Sequence, residues 1–483
     1  MTDRPVTAVP GPSQVPAIPA RLEPDAIGVA QDTVIGMANS APGAVMGLTL
    51  APLALTAAYG GGPIIVVCGI AMLIIANSYR RLNLWNANCG ASFEWVGRSI
   101  NPYLGFFTGW LMIAGTMVGA ISGVVILAPS VLAIFGSSST STWPNILIAT
   151  AVILGMLVIA VAGIRLTART QVGMGLIEYG ILIGFSIWGL VAVLGHHHGT
   201  YPVTSGWFSL TGIGGKGSLA LGLLAAVFMY SGWDGTIYVN EEVRHRRVNP
   251  GRSALIAVAL LMVIYAVSQV GLQGVVSPAK LQANASSALV YVAQALGGGG
   301  WAKVMALAIA LSVAASTGTG IVVLARIIYG MASHRVLPPV LGAVNRRFST
   351  PAVASIVIGL ILIAATWAYL LSTSVANVFL DVINVTGLMY AGFYTLTALA
   401  AIVYHRRRVL GNVWDALMVG ILPLAAAGFL VWVVVKSLQG EPWSQRWSVI
   451  GIVAAGIILM FVARFVLRSP FFQIPRESAP AKR

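Results

Sequence analysis

Charge is what this chain most lacks. Only 8% of its 483 residues are Asp, Glu, Lys or Arg, against about a quarter in soluble domains. With 58% of residues hydrophobic, the surplus apolar surface has to face lipid. Acids are scarcer than bases, 13 Asp and Glu against 28 Lys and Arg. Cysteine occurs twice, Cys68 in an apolar run and Cys89 in a polar stretch, which excludes a disulfide framework or a cysteine-based metal cluster. No Gly-x4-Gly-Lys-Ser/Thr element is present, so ATP is not the energy source within this chain. Neither His-Glu-x-x-His nor Gly-x-Ser-x-Gly occurs, which argues against an intramembrane enzyme. No cofactor is expected.

What the chain has in abundance is apolar runs. A spanning helix needs about 20 mostly apolar residues, and twelve such runs can be read: 30–58, 62–79, 103–128, 144–162, 172–195, 218–240, 253–276, 301–330, 352–371, 376–403, 413–436 and 446–467. The net charge of +15 would admit a nucleic-acid partner, but the basic residues sit in short clusters between these runs. That pattern predicts membrane topology and no nucleic acid. With the N-terminus inside, the inner loops hold basic clusters such as Arg244, Arg246, Arg247 and Arg252, or Arg406–Arg408, while the outer loops hold only Lys216, Lys280, Lys303, Lys436 and Arg446. The positive-inside rule then puts both termini in the cytoplasm, and an even number of spans keeps the alternation. Residues 1–28, rich in Pro and Ala without a signal-peptide core, are expected to be a disordered cytoplasmic tail.

Two runs are interrupted. The first carries Asn39-Ser-Ala-Pro-Gly43 and the sixth Gly232-Trp-Asp-Gly235. Proline removes a donor and clashes with the preceding turn, and glycine makes unwinding cheap. Matching breaks in two halves of a transporter point to its central site. The expected architecture is therefore an all-α integral membrane protein of twelve transmembrane helices. Residues 29–195 and 218–408 form a 5+5 inverted repeat with discontinuous helices 1 and 6, joined by an outer loop over 196–217. Residues 409–468 form two further helices, and 469–483 a cytoplasmic C-terminal tail.

Three stretches then carry a resemblance: Gly232-Trp-Asp-Gly235 followed by Val239-Asn-Glu-Glu-Val-Arg244 and Asn249-Pro-Gly-Arg252; Ala325-Arg-Ile-Ile-Tyr-Gly-Met-Ala332 with Arg335-Val-Leu-Pro338; and Gly163-Ile-Arg-Leu-Thr-Ala-Arg169. Together they resemble the amino acid–polyamine–organocation permease superfamily, from about Asp32 to Arg408. The resemblance implies a leucine-transporter-like fold and secondary active transport of amino acids or related amines by alternating access, with protons as the expected coupling ion. A polyamine or organic-amine exchanger is the alternative. The resemblance also implies a plasma-membrane location. The sequence departs from the family twice. The helix-one break usually reads Gly-Ser-Gly, with free N–H groups for a substrate carboxylate, whereas Ser40-Ala41-Pro42-Gly43 stands here and Pro42 has no N–H. Many proton-dependent members carry a lysine fifteen residues after the glycine corresponding to Gly163; here that position is Glu178.

The candidate substrate site comprises Ser40, Ala41, Pro42, Gly43, Ser231, Gly232, Trp233, Asp234 and Gly235. Trp233 would wall the pocket and stack on a cationic group. Asp234 would bind an amine or shuttle a proton, or else cap the second half-helix without touching substrate. Glu178, mid-run in Gly175-Leu-Ile-Glu-Tyr, is a candidate proton-coupling residue, because an intramembrane acid is expensive enough to imply a role; the bland alternative is a packing acid. Ser316 and Thr317 could face an ion, or bond back to their own helix. Two acids in the spans without matching bases tilt the substrate towards a cation. His196–His198 reads as a solvated loop rather than a metal site, and Glu241 and Glu242 as a gate or structural ion pairs. A channel would show repeated filter residues, and none are visible; a nutrient sensor on a transporter fold is the remaining alternative.

Overall fold

Inside a bilayer every backbone N–H and C=O has to find a partner within the protein, and an apolar run does so most cheaply as a helix. The computed structural model describes residues 21–479 except 58, 138–140, 198, 211–212, 214–215, 373–374, 410 and 441–442. In chain order its helices are α1 (Val29–Ser40), α2 (Pro42–Ala57), α3 (Gly61–Trp85), α4 (Ser92–Ser99), α5 (Pro102–Ile134), α6 (Thr142–Ala162), α7 (Ile164–Leu194), α8 (Lys216–Met229) and α9 (Gly235–Tyr238). They continue as α10 (Asn249–Leu272), α11 (Pro278–Ala283), α12 (Ala288–Gly297), α13 (Gly299–Ser333), α14 (Ala352–Ser372), α15 (Val375–Val409), α16 (Val413–Asp415), α17 (Leu422–Gly440) and α18 (Trp443–Phe461).

Eleven helices among the described residues are long and apolar enough to cross a membrane, with α1 and α2 counted as one span. The sixth span is the broken one, with 14 residues in α8 and four in α9, neither long enough alone to cross a membrane. The sequence also hides two short helices, α11 and α12, in what reads as an outer loop. Burial separates the centre from the rim. The α1–α2 span is 89% buried and the α13 span 78%, whereas the Arg446–Val466 span is 11% buried. The broken helix and α13 therefore form the middle of the bundle, and α18 presents its apolar side chains outwards.

The arginine-rich face is closed by specific contacts. Glu242 and Arg326 form a bidentate ion pair, Nε to Oε2 at 2.6 Å and Nη2 to Oε1 at 2.9 Å, with both side chains fully buried. The Ala26 and Ile27 N–H groups donate to the Glu242 carbonyl, and the Arg244 N–H donates back to Ile27. Glu241 accepts from the Cys89 N–H at 3.0 Å. Residues 21–28, assigned from sequence to a disordered tail, are thus packed, with Ile27 completely buried; the first 20 residues lie outside the described ones.

The C-terminal segment is also docked on this face. Phe471 stacks on Phe93 of α4 at 4.1 Å between ring centres. Glu477 donates its N–H to the Arg98 carbonyl at 2.7 Å, and its carboxylate meets Arg98 Nη1 at 2.8 Å. Arg98 also pairs with Glu94, whose Oε1 lies 2.8 Å from His334 Nε2. Burial alone would raise the Glu94 carboxyl, but the hydrogen bond and charge of His334, with Arg98, hold it below its ordinary value.

Candidate functional site

The site is built where two helices stop short. At Ser40 the α1 ladder ends because Ala41 adopts a left-handed backbone, φ 49°, and Pro42 follows as the first residue of α2. That is the position where a helix needs no N–H from its residue, so proline fits there without loss. On the other chain segment α8 ends at Met229, and residues 230–234 turn before α9 begins. Gly232 has φ +101°, and a Cβ there would stand 2.6 Å from the Asn39 carbonyl oxygen. The side chain of Asn39 donates to the Gly232 carbonyl at 2.9 Å. The two breaks therefore touch, backbone against backbone, at a point only glycine permits.

A cavity of about 50 Å³ opens beside this contact, room for about three or four water molecules. It is bordered by Asn39, Ser40, Ala41 and Ala44 of the first break and by Phe228 and Ser231 of the second. Thr116, Gly119, Ser122 and Gly123 of α5, Ser316 and Gly320 of α13, and Thr386 and Tyr390 of α15 also border it, with Val45, Leu48 and Ala120 adding apolar wall. None of these residues is acidic or basic.

The acids stand behind the walls. Glu178 of α7 is fully buried, and its Oε1 accepts the Gly43 N–H at 2.8 Å; Oε2 has no partner. Ser312 of α13 accepts the next amide, that of Ala44, at 3.0 Å. A carboxylate and a hydroxyl thus occupy the positive end of α2, as helix N-termini favour. Asp234 is also fully buried and at the first position before α9, yet it makes no capping bond there. Its Oδ1 accepts from the Tyr394 hydroxyl at 2.9 Å instead, and Oδ2 has no partner.

Of the residues singled out in the sequence, Ser40, Ala41, Ser231 and Ser316 border the cavity. Pro42, Gly43, Gly232 and Gly235 shape the breaks without lining it. Trp233, expected as a pocket wall, is fully buried, stacked on Tyr394 at 5.2 Å and edge-on to Tyr79 at 5.1 Å. The turn at Gly232 aims Trp233 and Asp234 towards α3 and α15, away from the cavity. Thr317 bonds back to Val313 at 2.8 Å within its own helix. His196 and His197 are exposed and His198 lies outside the described residues; among the described residues no cluster of His, Cys, Asp and Glu could hold a metal.

Sequence reasoning missed Thr116 and Tyr390, which share a 3.1 Å hydrogen bond across the cavity, and the buried acid Asp32. A signal for the α5 wall was present. Gly115, Gly119 and Gly123 recur every fourth residue, a small-residue stripe that lets helices approach closely.

Comparison with known proteins completes the picture. A sequence profile described as amino acid permease matches residues 32–467. Among solved structures, the chain is similar to the manganese transporter of Eremococcus coleocola in complex with an aromatic bis-isothiourea substituted compound. The two are 15% identical over 94% of this chain and 99% of that one, with a TM-score of 0.58. A variant of the same transporter matches at 16% identity and TM-score 0.57, covering 91% and 94%. These likenesses show the fold.

Proposed function

We propose, from the premise that this chain belongs to the amino acid permease family, that it is a secondary active transporter moving small amino acids or amines by alternating access through the cavity between the two helix breaks. The membrane transporter class follows from the family. The observation that carries the finer reading is the contact of the two breaks, Asn39 to Gly232, beside a small cavity at the most buried part of the bundle. Discontinuous helices whose ends meet around a cavity supply exposed backbone groups where lipid cannot reach.

Glu178 supplies the coupling in this reading. It is a buried carboxylate without an ion pair among the described residues, held by the Gly43 amide of the very half-helix that borders the cavity. Gain or loss of its proton changes what α2's positive end is bound to, and so links protonation to the geometry of the break. The distribution of arginine supports both termini in the cytoplasm, and the family membership supports a place in the plasma membrane.

Counterflow in proteoliposomes with a panel of labelled amino acids and amines tests the transport reading. Glu178→Gln is expected to leave ligand binding measurable while abolishing accumulation driven by a pH gradient. An unchanged pH dependence in that variant would remove the coupling role.

A further inference from the structure

Outside the cavity, on the arginine-rich face, the joint between α6 and α7 meets the loop between α13 and α14. The two are fastened to each other. The Thr350 hydroxyl, on a fully buried residue, donates to the Val161 carbonyl at 2.9 Å. Within the loop, the Asn345 N–H donates to the Thr350 carbonyl and the Ser349 N–H to the Asn345 carbonyl, both at 2.8 Å. The Asn345 side chain accepts from the amides of Arg347 and Phe348, at 2.9 and 3.2 Å. Arg347 is therefore presented by a closed, hydrogen-bonded turn.

Between joint and loop lies a cleft of about 420 Å³ whose wall includes Arg165 and Arg169 of α7 together with Arg347. Its charges do not balance. Glu23 is the one acid in the wall, with Oε1 2.6 Å from Arg165 Nη2. Among the described residues no ion pair reaches Arg169 or Arg347; the Arg347 guanidinium lies over the Phe348 ring, 5.3 Å from its centre. Two of the three arginines thus keep their charge uncompensated. The start of α7 adds to the excess, since its first turn holds no acid and its partial positive charge falls beside Arg165. Guanidinium groups match phosphate oxygens with paired, charge-assisted hydrogen bonds.

The cleft also lies at the rim of the bundle. The α6 and α14 spans are only 33% and 39% buried. Leu166, which belongs to the same wall, is 46% exposed. An apolar edge next to uncompensated arginines is the surface that a lipid with a charged headgroup fits.

We propose that this cleft binds the phosphate of an anionic phospholipid headgroup through Arg165, Arg169 and Arg347, with the acyl chains passing over Leu166. Arg169 and Arg347 supply donors that no carboxylate of the chain uses, and Arg165 is shared with Glu23. One headgroup then bridges α7 and the α13–α14 loop. A soluble phosphate satisfies the same guanidinium groups but gains nothing from the apolar edge. A zwitterionic lipid brings its own cation and leaves the excess charge in place.

The test uses the full chain in neutral detergent, with native mass spectrometry counting retained lipid during titration with phosphatidylglycerol or phosphatidylcholine. Phosphatidylglycerol is expected to bind about tenfold or more tightly than phosphatidylcholine. Arg169→Gln and Arg347→Gln should each weaken it about fivefold, the share of one basic residue in attraction to an anionic membrane. Arg406→Gln with Arg407→Gln removes two exposed arginines that the sequence places on the same face but outside the cleft, and should leave the tight binding unchanged. Equal losses in that control reduce the effect to diffuse attraction and overturn the site. Equal affinity for the two lipids overturns it as well. Glycerol phosphate in large excess is expected not to displace the lipid; displacement would make the ligand a soluble phosphate and overturn the lipid assignment. Where Arg169→Gln does not fold, Arg347→Gln, on an exposed loop residue, is compared with Arg406→Gln alone, and equal binding in those two overturns the proposal.

Discussion

Glu242→Gln is expected to destabilise the protein by about 3–5 kcal/mol, the penalty for breaking one side of a buried ion pair. The reason lies in what remains. Arg326 is fully buried and directs Nε and Nη2 at the two carboxylate oxygens, with Nη1 on the Val322 carbonyl at 3.2 Å. Neutralising its partner leaves a buried guanidinium without compensation in the last third of α13. The same loop also anchors the Ala26 and Ile27 amides, so the loss should spread to residues 21–28. Thermal unfolding in detergent reads the first effect, and hydrogen exchange at Ala26 and Ile27 the second. Replacing both partners by methionine should recover most of the stability, since two desolvated charges disappear together. A double variant as unstable as the single one would show that the pair is not the cause.

Gly232→Ala should reduce transport by a factor of about ten or more. The φ of +101° alone strains any residue with a Cβ, by about 1–3 kcal/mol. The new carbon would also meet the Asn39 carbonyl oxygen and carbon at 2.6 and 2.7 Å and the Ser40 nitrogen at 2.9 Å, all backbone atoms of the other break. Neither side can yield without moving a half-helix. Gly235→Ala is the informative control: its Cβ would touch only side-chain atoms, of Val323 and Asn39, at 3.2 Å or more. Transport in Gly235→Ala should fall far less. Comparable losses at both positions would show that the contact between the breaks has no special part in function.

Much of the fold was legible because lipid imposes simple rules on sequence. Long apolar runs and Gly or Pro inside a run both report directly on backbone hydrogen bonding, and the positions of both breaks follow from them. Side-chain direction was less legible. Nothing local says that Trp233 turns towards Tyr79 and Tyr394, because that depends on one dihedral at Gly232 and on rings supplied by α3 and α15. Pro42 read as a missing donor; the structure puts it where no donor is needed, and the neighbouring amides are spoken for by residues 135 and 268 positions away. Asp32 was hidden by its place near the start of a run, where an acid looks like part of the membrane edge.

Glu178 has one more consequence, for membrane voltage. Among the described residues no salt bridge reaches it, so beyond the partial charge at the α2 N-terminus its negative charge is left to what arrives: a proton, or a cation in the neighbouring cavity. If a monoamine enters as the proton leaves, the moving core carries the same total charge in both states. Each exchange is then electroneutral. A transmembrane potential, worth about 2.3 kcal/mol per charge at 100 mV, would neither drive the exchange nor oppose it, and only the two concentration gradients would set how far it runs. Counterflow rates in vesicles clamped at opposite potentials are expected to coincide, and a rate that follows the voltage would mean that charge moves uncompensated.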